Sequence, residues 1–416
     1  IGNARTTKQD DSGRDAVFGH QHFGFQQFKL EPDRAQFVPA QKIRVRKGKR
    51  IGWRPRLRCV GNAARGFDVL MRVAKTSSLV VHHGAAPCHF GPLHGRKGAA
   101  CPTKETVALN APTPKEIAQA GDRIEDHVHR TPILETTALI KGRKTELKLE
   151  NTQLTGSFKV RGAFNTLLSR DVPQAGVVAA SGGNHGAAVA YAARALGHKA
   201  TIYVPEFAGP SKIALIRDTG ADLHVVAGTY AEALAAAQAF EADTGAMQIH
   251  AYDAPATVAG QGTLMREWES QYLASDTVLI AVGGGGLIAG ALAWLQGGRN
   301  IVAVEPELAP TLKTAQIAGK PVDVEVGGIA ATALGARRIG QICFDLAKEH
   351  DIETVIVSDE AIAEAQALLW RTCRQWVEPA GATALAALIS GAYSPSPKES
   401  IAVLVCGASP APGPFD

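Results

Sequence analysis

The chain has few cysteines for its length, and they follow no recognisable pattern. The six cysteines among 416 residues are scattered, without a Cys-x-x-Cys pair or a regular spacing. This arrangement excludes the disulfide framework of a small secreted domain and gives no standard zinc site. The simplest interpretation is a cytoplasmic protein with reduced thiols.

The sequence also lacks a convincing membrane segment. Residues 278–295 are free of charge and long enough to suggest a membrane span, but four consecutive glycines at 283–286 interrupt them. Because such a run would weaken a helix, a buried strand, a glycine loop and a buried helix are the better prediction. The N-terminus shows no signal-peptide pattern. We therefore expect no membrane association.

Acidic residues are scarce in the N-terminal quarter of the chain. Residues 1–106 carry 20 Lys and Arg against 7 Asp and Glu, whereas residues 107–416 carry 24 against 32. The net positive charge of the whole chain is therefore a property of its first quarter. The acidic balance of the remainder argues against nucleic acid as a partner of the core.

Residues 1–107 are interpreted as a basic extension, disordered or not a true domain. They show little helical or strand periodicity, and the run from Lys42 to Arg50 is strongly basic. Three interpretations remain open: a basic tail that contacts RNA, DNA or acidic partners, a targeting segment, and upstream sequence read in frame. We favour the third, which agrees with the presence of Ile1 in place of Met.

From residue 113 onward, the sequence alternates between helix and strand patterns. Thr113, Pro114 and Glu116 form a capping box with proline at the first helical position. Apolar runs predict strands at 146–149, 177–180, 200–204, 222–226, 277–282, 301–304, 354–357 and 401–405. Alanine-rich stretches predict helices at 186–196, 230–242, 287–295 and 361–370. This alternation predicts an α/β protein with mostly parallel sheets.

Lys159 lies in the most informative stretch of the chain, Thr-Gly-Ser-Phe-Lys-Val-Arg-Gly-Ala at residues 155–163. Small residues on both sides suit an amine that must reach a ligand. A solvated lysine in a polar loop is the alternative interpretation, and it is the usual one for a lysine. The glycine-containing loops at residues 181–186 and 283–286 favour a lysine that reaches a ligand.

Two loops each follow a predicted strand and open a predicted helix. The first contains the glycines at 283–286, and the second reads Ser-Gly-Gly-Asn-His-Gly at residues 181–186. Backbone N–H groups and the helix dipole make such loops suitable for phosphate or carboxylate groups. The glycine spacing matches neither a dinucleotide-binding fingerprint nor a P-loop, so NAD and ATP fit poorly.

Taken together and in this order, these motifs resemble those of the fold-type-II pyridoxal-phosphate enzymes, the threonine/serine dehydratases and serine racemases. The resemblance covers about residues 108–416. It implies two open α/β domains with mostly parallel sheets and with the cofactor in the cleft between them. The large domain would comprise residues 108–178 and 256–416, and the small inserted domain residues 179–255.

The resemblance also implies roles for individual residues. Lys159 is expected to be the Schiff-base lysine and the catalytic base. The residues expected to bind the cofactor are Phe158, Lys159, Asn184, Gly283, Gly284, Gly285, Gly286 and Cys406. Those expected to bind the substrate carboxylate are Ser181, Gly183, Asn184 and His185. Glu378 is expected near the cofactor or, alternatively, in a structural ion pair.

Two positions depart from the pattern of the racemases. Gly182 stands where they carry a second serine that acts as an acid and base, and glycine has no proton to give. This departure favours elimination over racemisation. Glu305 and the Ala309 carbonyl are candidate ligands for a monovalent or divalent cation, although Thr311 replaces a second acidic ligand.

The expected activity is dehydration and deamination of L-threonine or L-serine to a 2-oxo acid and ammonia. Serine racemase and 3-hydroxyaspartate dehydratase are alternatives on the same fold, and an inactive relic with a nucleic-acid-binding tail is an alternative of another class. Because only about ten residues follow Cys406, we expect no C-terminal regulatory domain. The resemblance implies a homodimer.

Overall fold

The computed structural model describes residues 110–408, with the exception of residues 207 and 229. The predicted basic extension at 1–107 lies outside the described residues. The strands are β1 (Ile133–Ile140), β2 (Arg143–Leu149), β3 (Val177–Ala180), β4 (Ala200–Pro205), β5 (Asp222–Val226), β6 (Met247–Gln248), β7 (Thr277–Ala281), β8 (Asn300–Pro306), β9 (Glu353–Val357) and β10 (Ile401–Val405).

Helices follow most of these strands, as the sequence predicts. They are α1 (Pro114–Ile124), α2 (Lys159–Leu168), α3 (Asn184–Ala195), α4 (Pro210–Asp218), α5 (Tyr230–Thr244), α6 (Pro255–Ser270), α7 (Gly286–Leu295), α8 (Thr311–Ala318), α9 (Ala331–Leu334), α10 (Gln341–Glu349), α11 (Asp359–Leu368) and α12 (Pro379–Ile389). A π-helical turn, Leu369–Cys373, extends α11.

The larger sheet has six strands in the order β1-β2-β10-β7-β8-β9. Only the edge pair β1–β2 is antiparallel, and the remaining pairs are parallel. The central strands β7 and β10 are buried along their whole length, which explains why they are continuous apolar runs in the sequence. Their carboxyl ends meet at one edge of the sheet, where open α/β sheets bind ligands.

The smaller sheet has four parallel strands in the order β5-β4-β3-β6. Strand β3 pairs with β4 from Val177 onward, so a domain boundary between residues 178 and 179 would cut a paired strand. The boundary would therefore fall before Val177. The division of the chain into a large and a small domain otherwise stays a prediction.

The predicted start of α1 is confirmed in atomic detail. The Thr113 hydroxyl accepts a hydrogen bond from the Glu116 N–H at 3.3 Å, and the Glu116 carboxylate accepts one from the Thr113 N–H at 2.7 Å. Each contact satisfies a donor that the helix itself cannot satisfy. Ile117, Ala120 and Ile124 place their side chains in the core on one face of this helix.

The charge-free stretch forms β7, the glycine loop and α7, as predicted, and all three lie in the protein core. Among the described residues, no helix has the length and apolar character needed to cross a membrane.

A buried ionic network holds α2 against its neighbours. Arg161 and Glu150 are almost completely buried, and the Arg161 guanidinium donates to both Glu150 oxygens, at 2.7 and 2.8 Å. It also donates to Glu267 of α6 at 2.9 Å, and the buried Lys148 amine donates to the same carboxylate. The network thus contains two positive and two negative side chains. Because its member Arg161 is only two residues after Lys159, the network fixes the position of the N-terminus of α2.

Candidate active site

Lys159 is the first residue of α2, and its side chain lines a cavity at the end of β7. Its Nζ atom donates to the Ala251 carbonyl at 2.8 Å and lies 5.3 Å from the centre of the Phe158 ring. Burial lowers the pKa of the Lys159 amine to about 8. A minor fraction, roughly a tenth to a fifth, is therefore neutral near physiological pH, far more than for an ordinary lysine, and the neutral amine is the form that attacks a carbonyl or accepts a proton.

The glycines at 283–286 connect β7 to α7 and line the same cavity. Gly285 has φ +90°, a left-handed conformation that favours glycine. A Cβ atom at Gly284 would lie 2.4 Å from the Tyr252 ring, so a side chain cannot be accommodated there. The loop thus brings bare backbone to the N-terminus of α7, where N–H groups and the helix dipole favour a phosphate.

Asn184 begins α3 and faces the cavity together with Glu378. Its Nδ2 atom donates to Oε1 of Glu378 at 2.5 Å, and both side chains are buried. Because Nδ2 faces the carboxylate, Oδ1 is directed away from it, and this buried oxygen has no hydrogen-bond partner among the described residues. An unpartnered buried acceptor is costly unless a ligand donates to it.

Cys406 lies at the end of β10 and also lines the cavity. Its thiol donates to the Ala380 carbonyl at 3.3 Å. Burial raises the pKa of this thiol, and the nearby charge of Glu378 acts in the same direction. Cys406 is therefore a neutral thiol and a weak hydrogen-bonding partner for a ligand atom.

Residues 181–183 lead into α3, which begins at Asn184, two residues earlier than predicted. The Gly183 N–H donates to the Ser181 hydroxyl at 3.2 Å, and Gly183 directly precedes the first turn of the helix. The His185 ring is buried, and its Nε2 atom lies 2.8 Å from the Ile249 carbonyl. One nitrogen of the imidazole is thus committed to the protein. The predicted carboxylate-binding roles of Ser181, Gly183 and His185 stay predictions.

Gly182 has no space for a side chain. A Cβ atom built at this position would lie 2.4 Å from the Cβ of Ala208. The Ala208 side chain therefore fills the space that a serine side chain at position 182 would need.

Glu305, the predicted cation ligand, is fully buried and engaged with the start of α8. Its carboxylate accepts hydrogen bonds from the Thr311 hydroxyl at 2.9 Å, the Leu312 N–H at 2.7 Å and the Lys313 N–H at 2.9 Å. Burial raises the pKa of Glu305 to about 7. The Ala309 carbonyl accepts the Thr311 N–H.

Throughout the stretch that the structure describes, no group of three His, Cys, Asp or Glu side chains is arranged to hold a metal ion. Cation binding at Glu305 therefore stays a prediction.

The cavity is lined by Lys159, the glycine loop, Asn184, Glu378 and Cys406. The space between these residues, together with the solvent at its mouth, measures about 450 Å³. The residues present fit pyridoxal phosphate, because a reactive amine, a phosphate cradle and an unpartnered acceptor face one space. Lys159, the residues at 283–286 and Asn184 would hold it.

Several residues of the site carry no signal in the sequence. Tyr252, Ala333 and Leu334 line the cavity, and Ala251 contributes only its backbone carbonyl. Tyr252 and Ala251 follow β6, a strand of two residues that is too short to be predicted. The sequence alone does not distinguish an apolar residue that lines a cavity from one that is buried in the core.

Comparison with known proteins agrees with this geometry. Residues 124–407 match the family of pyridoxal-phosphate dependent enzymes. The chain is 35% identical over 285 residues to L-threonine ammonia-lyase of Thermotoga maritima, covering 67% of this chain and 71% of the relative. It is also 35% identical over 298 residues to phenylserine dehydratase of Ralstonia pickettii, covering 70% and 91%.

A solved structure described as maize serine racemase matches with a TM-score of 0.70 and 30% identity, covering 73% of this chain and 96% of that one. The chain belongs to the family of pyridoxal-phosphate-dependent enzymes. The predicted fold type II and the predicted cofactor are thereby confirmed.

Proposed function

We propose that the protein catalyses β-elimination of a β-hydroxy amino acid, with L-threonine or L-serine as substrate and a 2-oxo acid and ammonia as products. The observation that carries the proposal is the Lys159 amine, which lies in the same cavity as the loop at 283–286 and has a pKa of about 8. The resemblance to L-threonine ammonia-lyase supports the same reaction.

In this proposal, each group of cavity residues has a separate role. Lys159 would hold the cofactor covalently, and its free, neutral amine would take the Cα proton of the substrate. The start of α3, with Ser181, Gly183 and Asn184, binds the substrate carboxylate. When bound, pyridoxal phosphate withdraws electrons and makes the Cα proton acidic.

Cys406 lines the cavity and would be the partner of the cofactor's ring nitrogen, as the resemblance implies. Because the thiol stays neutral and is a weak partner, it does little to protonate that nitrogen. A less electron-withdrawing ring suits expulsion of a β-hydroxyl better than a long-lived carbanion. This property favours elimination over racemisation.

The experiment that tests the proposal is an assay of 2-oxo acid formation by the cofactor-loaded protein. L-threonine, L-serine, threo-3-hydroxyaspartate and phenylserine would be compared at equal concentrations. Product from threonine or serine supports the proposal, and product from hydroxyaspartate alone supports the alternative dehydratase. A loaded protein that forms none of these products would contradict the proposal and favour a racemase or an inactive relic.

The packing of Ala208 against Gly182 predicts how racemase activity responds to substitution. Gly182→Ser alone should form no more D-serine than the wild type, because its Cβ would lie 2.4 Å from that of Ala208. The double variant Gly182→Ser, Ala208→Gly should form D-serine about tenfold or more above the wild-type level, since a positioned acid–base group contributes roughly 10²–10⁴-fold.

Chiral chromatography of the reaction products measures this effect. Ala208→Gly alone is the matched control, because it opens the space without adding a proton donor. D-serine formed equally by the single Gly182→Ser variant would show that Ala208 does not block this position.

We also propose, on the resemblance alone, that the protein is a cytoplasmic homodimer. Sedimentation equilibrium of the full chain would establish its oligomeric state.

A further inference from the structure

Residues 249–253 lie between β6 and α6 and contact the Lys159 amine through the Ala251 carbonyl. Ile249 extends β6 by donating its N–H to the Val178 carbonyl at 3.1 Å. Two residues later, the Ala251 carbonyl accepts the Lys159 amine. This segment therefore decides where the free amine of Lys159 points.

The far end of the segment is fixed to the phosphate side of the cavity. The Tyr252 ring lies against Gly284, and its hydroxyl donates to the Arg338 carbonyl at 3.2 Å. The Asp253 carboxylate accepts the N–H groups of Gln341 and Ile342, both at 3.0 Å, and so caps α10.

The near end of the segment is fixed by His185. Its Nε2 atom lies 2.8 Å from the Ile249 carbonyl, and the ring is buried. A carbonyl only accepts hydrogen bonds, so Nε2 carries a proton. Burial, with the nearby Lys159 charge acting in the same direction, lowers the pKa of His185 to about 3, so the imidazole is neutral. The histidine therefore stays a neutral donor at any working pH.

We propose that His185 is a positioning residue for Lys159: by donating to the Ile249 carbonyl, it holds the segment that directs the Lys159 amine through Ala251. The proposal rests on the proposed role of Lys159 as the cofactor lysine. It assigns the His185 ring a role other than binding the substrate carboxylate. The free amine that it positions is present before the cofactor is attached, and again when Lys159 takes the Cα proton.

A comparison of His185→Leu with His185→Gln tests this proposal without substrate. Leucine fills the site but cannot donate, whereas the glutamine side-chain amide retains an N–H donor. The rate at which apoprotein attaches added pyridoxal phosphate to Lys159, followed by absorbance, should fall on the order of 10–100-fold in His185→Leu. In His185→Gln it should stay within about threefold of wild type, because the donor is kept.

His198→Leu is the matched control, because His198 lies three residues beyond the C-terminal end of α3, whereas His185 lies in its first turn. It should attach the cofactor at the wild-type rate. If His185→Leu does not fold, His185→Asn replaces it, because its shorter amide cannot reach the carbonyl at the same backbone position.

Turnover then separates the two possible roles of the histidine. Loss of positioning lowers kcat and slows attachment, with little change in KM for the amino acid. A carboxylate ligand would give the reverse: a raised KM, a near-normal kcat and an unchanged attachment rate, and that result would overturn the proposal. Because attachment is measured without an amino acid, a wrong assignment of the substrate does not affect the test.

The tautomer offers an independent check in the wild-type protein. Nitrogen NMR of labelled histidine should show one ring with a protonated Nε2 that does not titrate between about pH 5 and pH 9. In His185→Gln this signal should be lost. A wild-type His185 that titrates within this range would contradict a neutral, permanently donating imidazole.

Discussion

Lys159→Ala is expected to reduce 2-oxo acid formation by at least about 10²–10⁴-fold, which is the contribution of a positioned general base. The loss should be larger still, because the same amine is the covalent attachment point of the cofactor. The measurement is the rate of 2-oxo acid formation at saturating substrate, with the variant loaded at high pyridoxal phosphate concentration. The absorbance of lysine-bound cofactor should also be missing.

The variant should nevertheless fold. Burial lowers the pKa of Lys159 from its ordinary value of 10.5 to about 8, so protonation of this amine favours the unfolded chain. Its unfavourable effect on stability is absent above the ordinary pKa of 10.5, grows as the pH falls from there to about 8, and is constant at lower pH. At neutral pH, Lys159→Ala removes this effect, and the melting temperature of the apoprotein should stay equal or rise.

The control for this prediction is Lys199→Ala, which removes an exposed lysine. It should retain wild-type activity and cofactor absorbance. Wild-type turnover by Lys159→Ala would contradict the assignment of the active site to this cavity.

The part of the fold that the sequence predicts well is the part where local and global preferences agree. Residues 278–281 are all apolar because β7 is buried in the middle of a parallel sheet, and the glycines that follow leave room for the Tyr252 ring. The capping box at Thr113 is likewise a local signal that the folded structure uses without change.

The two strands that were not predicted, β1 and β6, have weak local signals. Strand β1 is an antiparallel edge strand with a mixed polar and apolar sequence, and its register shifts between Thr136 and Ile140. Strand β6 has only two residues. Both depend on pairing with a neighbour that is distant in sequence, so tertiary context decides them.

In the site, too, contiguous motifs could be predicted from the sequence, whereas contacts between residues distant in sequence could not. Lys159 and the loop at 283–286 are contiguous motifs and could be located from the sequence. The Ala208 side chain approaches the backbone of Gly182 from another part of the chain, and the contact of Ala251 with Lys159 uses a backbone carbonyl that every residue possesses. Neither contact has a sequence pattern that could reveal it.

Arg161→Ala is expected to have the largest effect on stability, about 3–5 kcal/mol, because it leaves buried carboxylates without their partner. Burial opposes the charge of Arg161, yet Glu150 and Glu267 raise its pKa above the ordinary value, so the guanidinium is charged in the folded protein. In the variant, Glu150 stays fully buried and loses two hydrogen bonds.

Urea unfolding of the apoprotein measures this loss as a lower midpoint. Arg266→Ala is the matched control. Arg266 of α6 forms an ion pair with Asp122 of α1, but neither side chain is buried. Pairs of this kind contribute up to about 1 kcal/mol. A loss for Arg161→Ala no larger than that for Arg266→Ala would contradict a structural role for the buried network.

The same substitution connects stability to the site, because Arg161 lies two residues after Lys159 on α2. If the network fixes the N-terminus of this helix, Arg161→Ala should also weaken binding of pyridoxal phosphate, as measured by fluorescence titration below the unfolding midpoint. Arg266→Ala, whose ion pair lies between α1 and α6, should leave that affinity unchanged. Reduced stability with unchanged cofactor affinity would mean that the network holds the helices together without positioning the Lys159 amine.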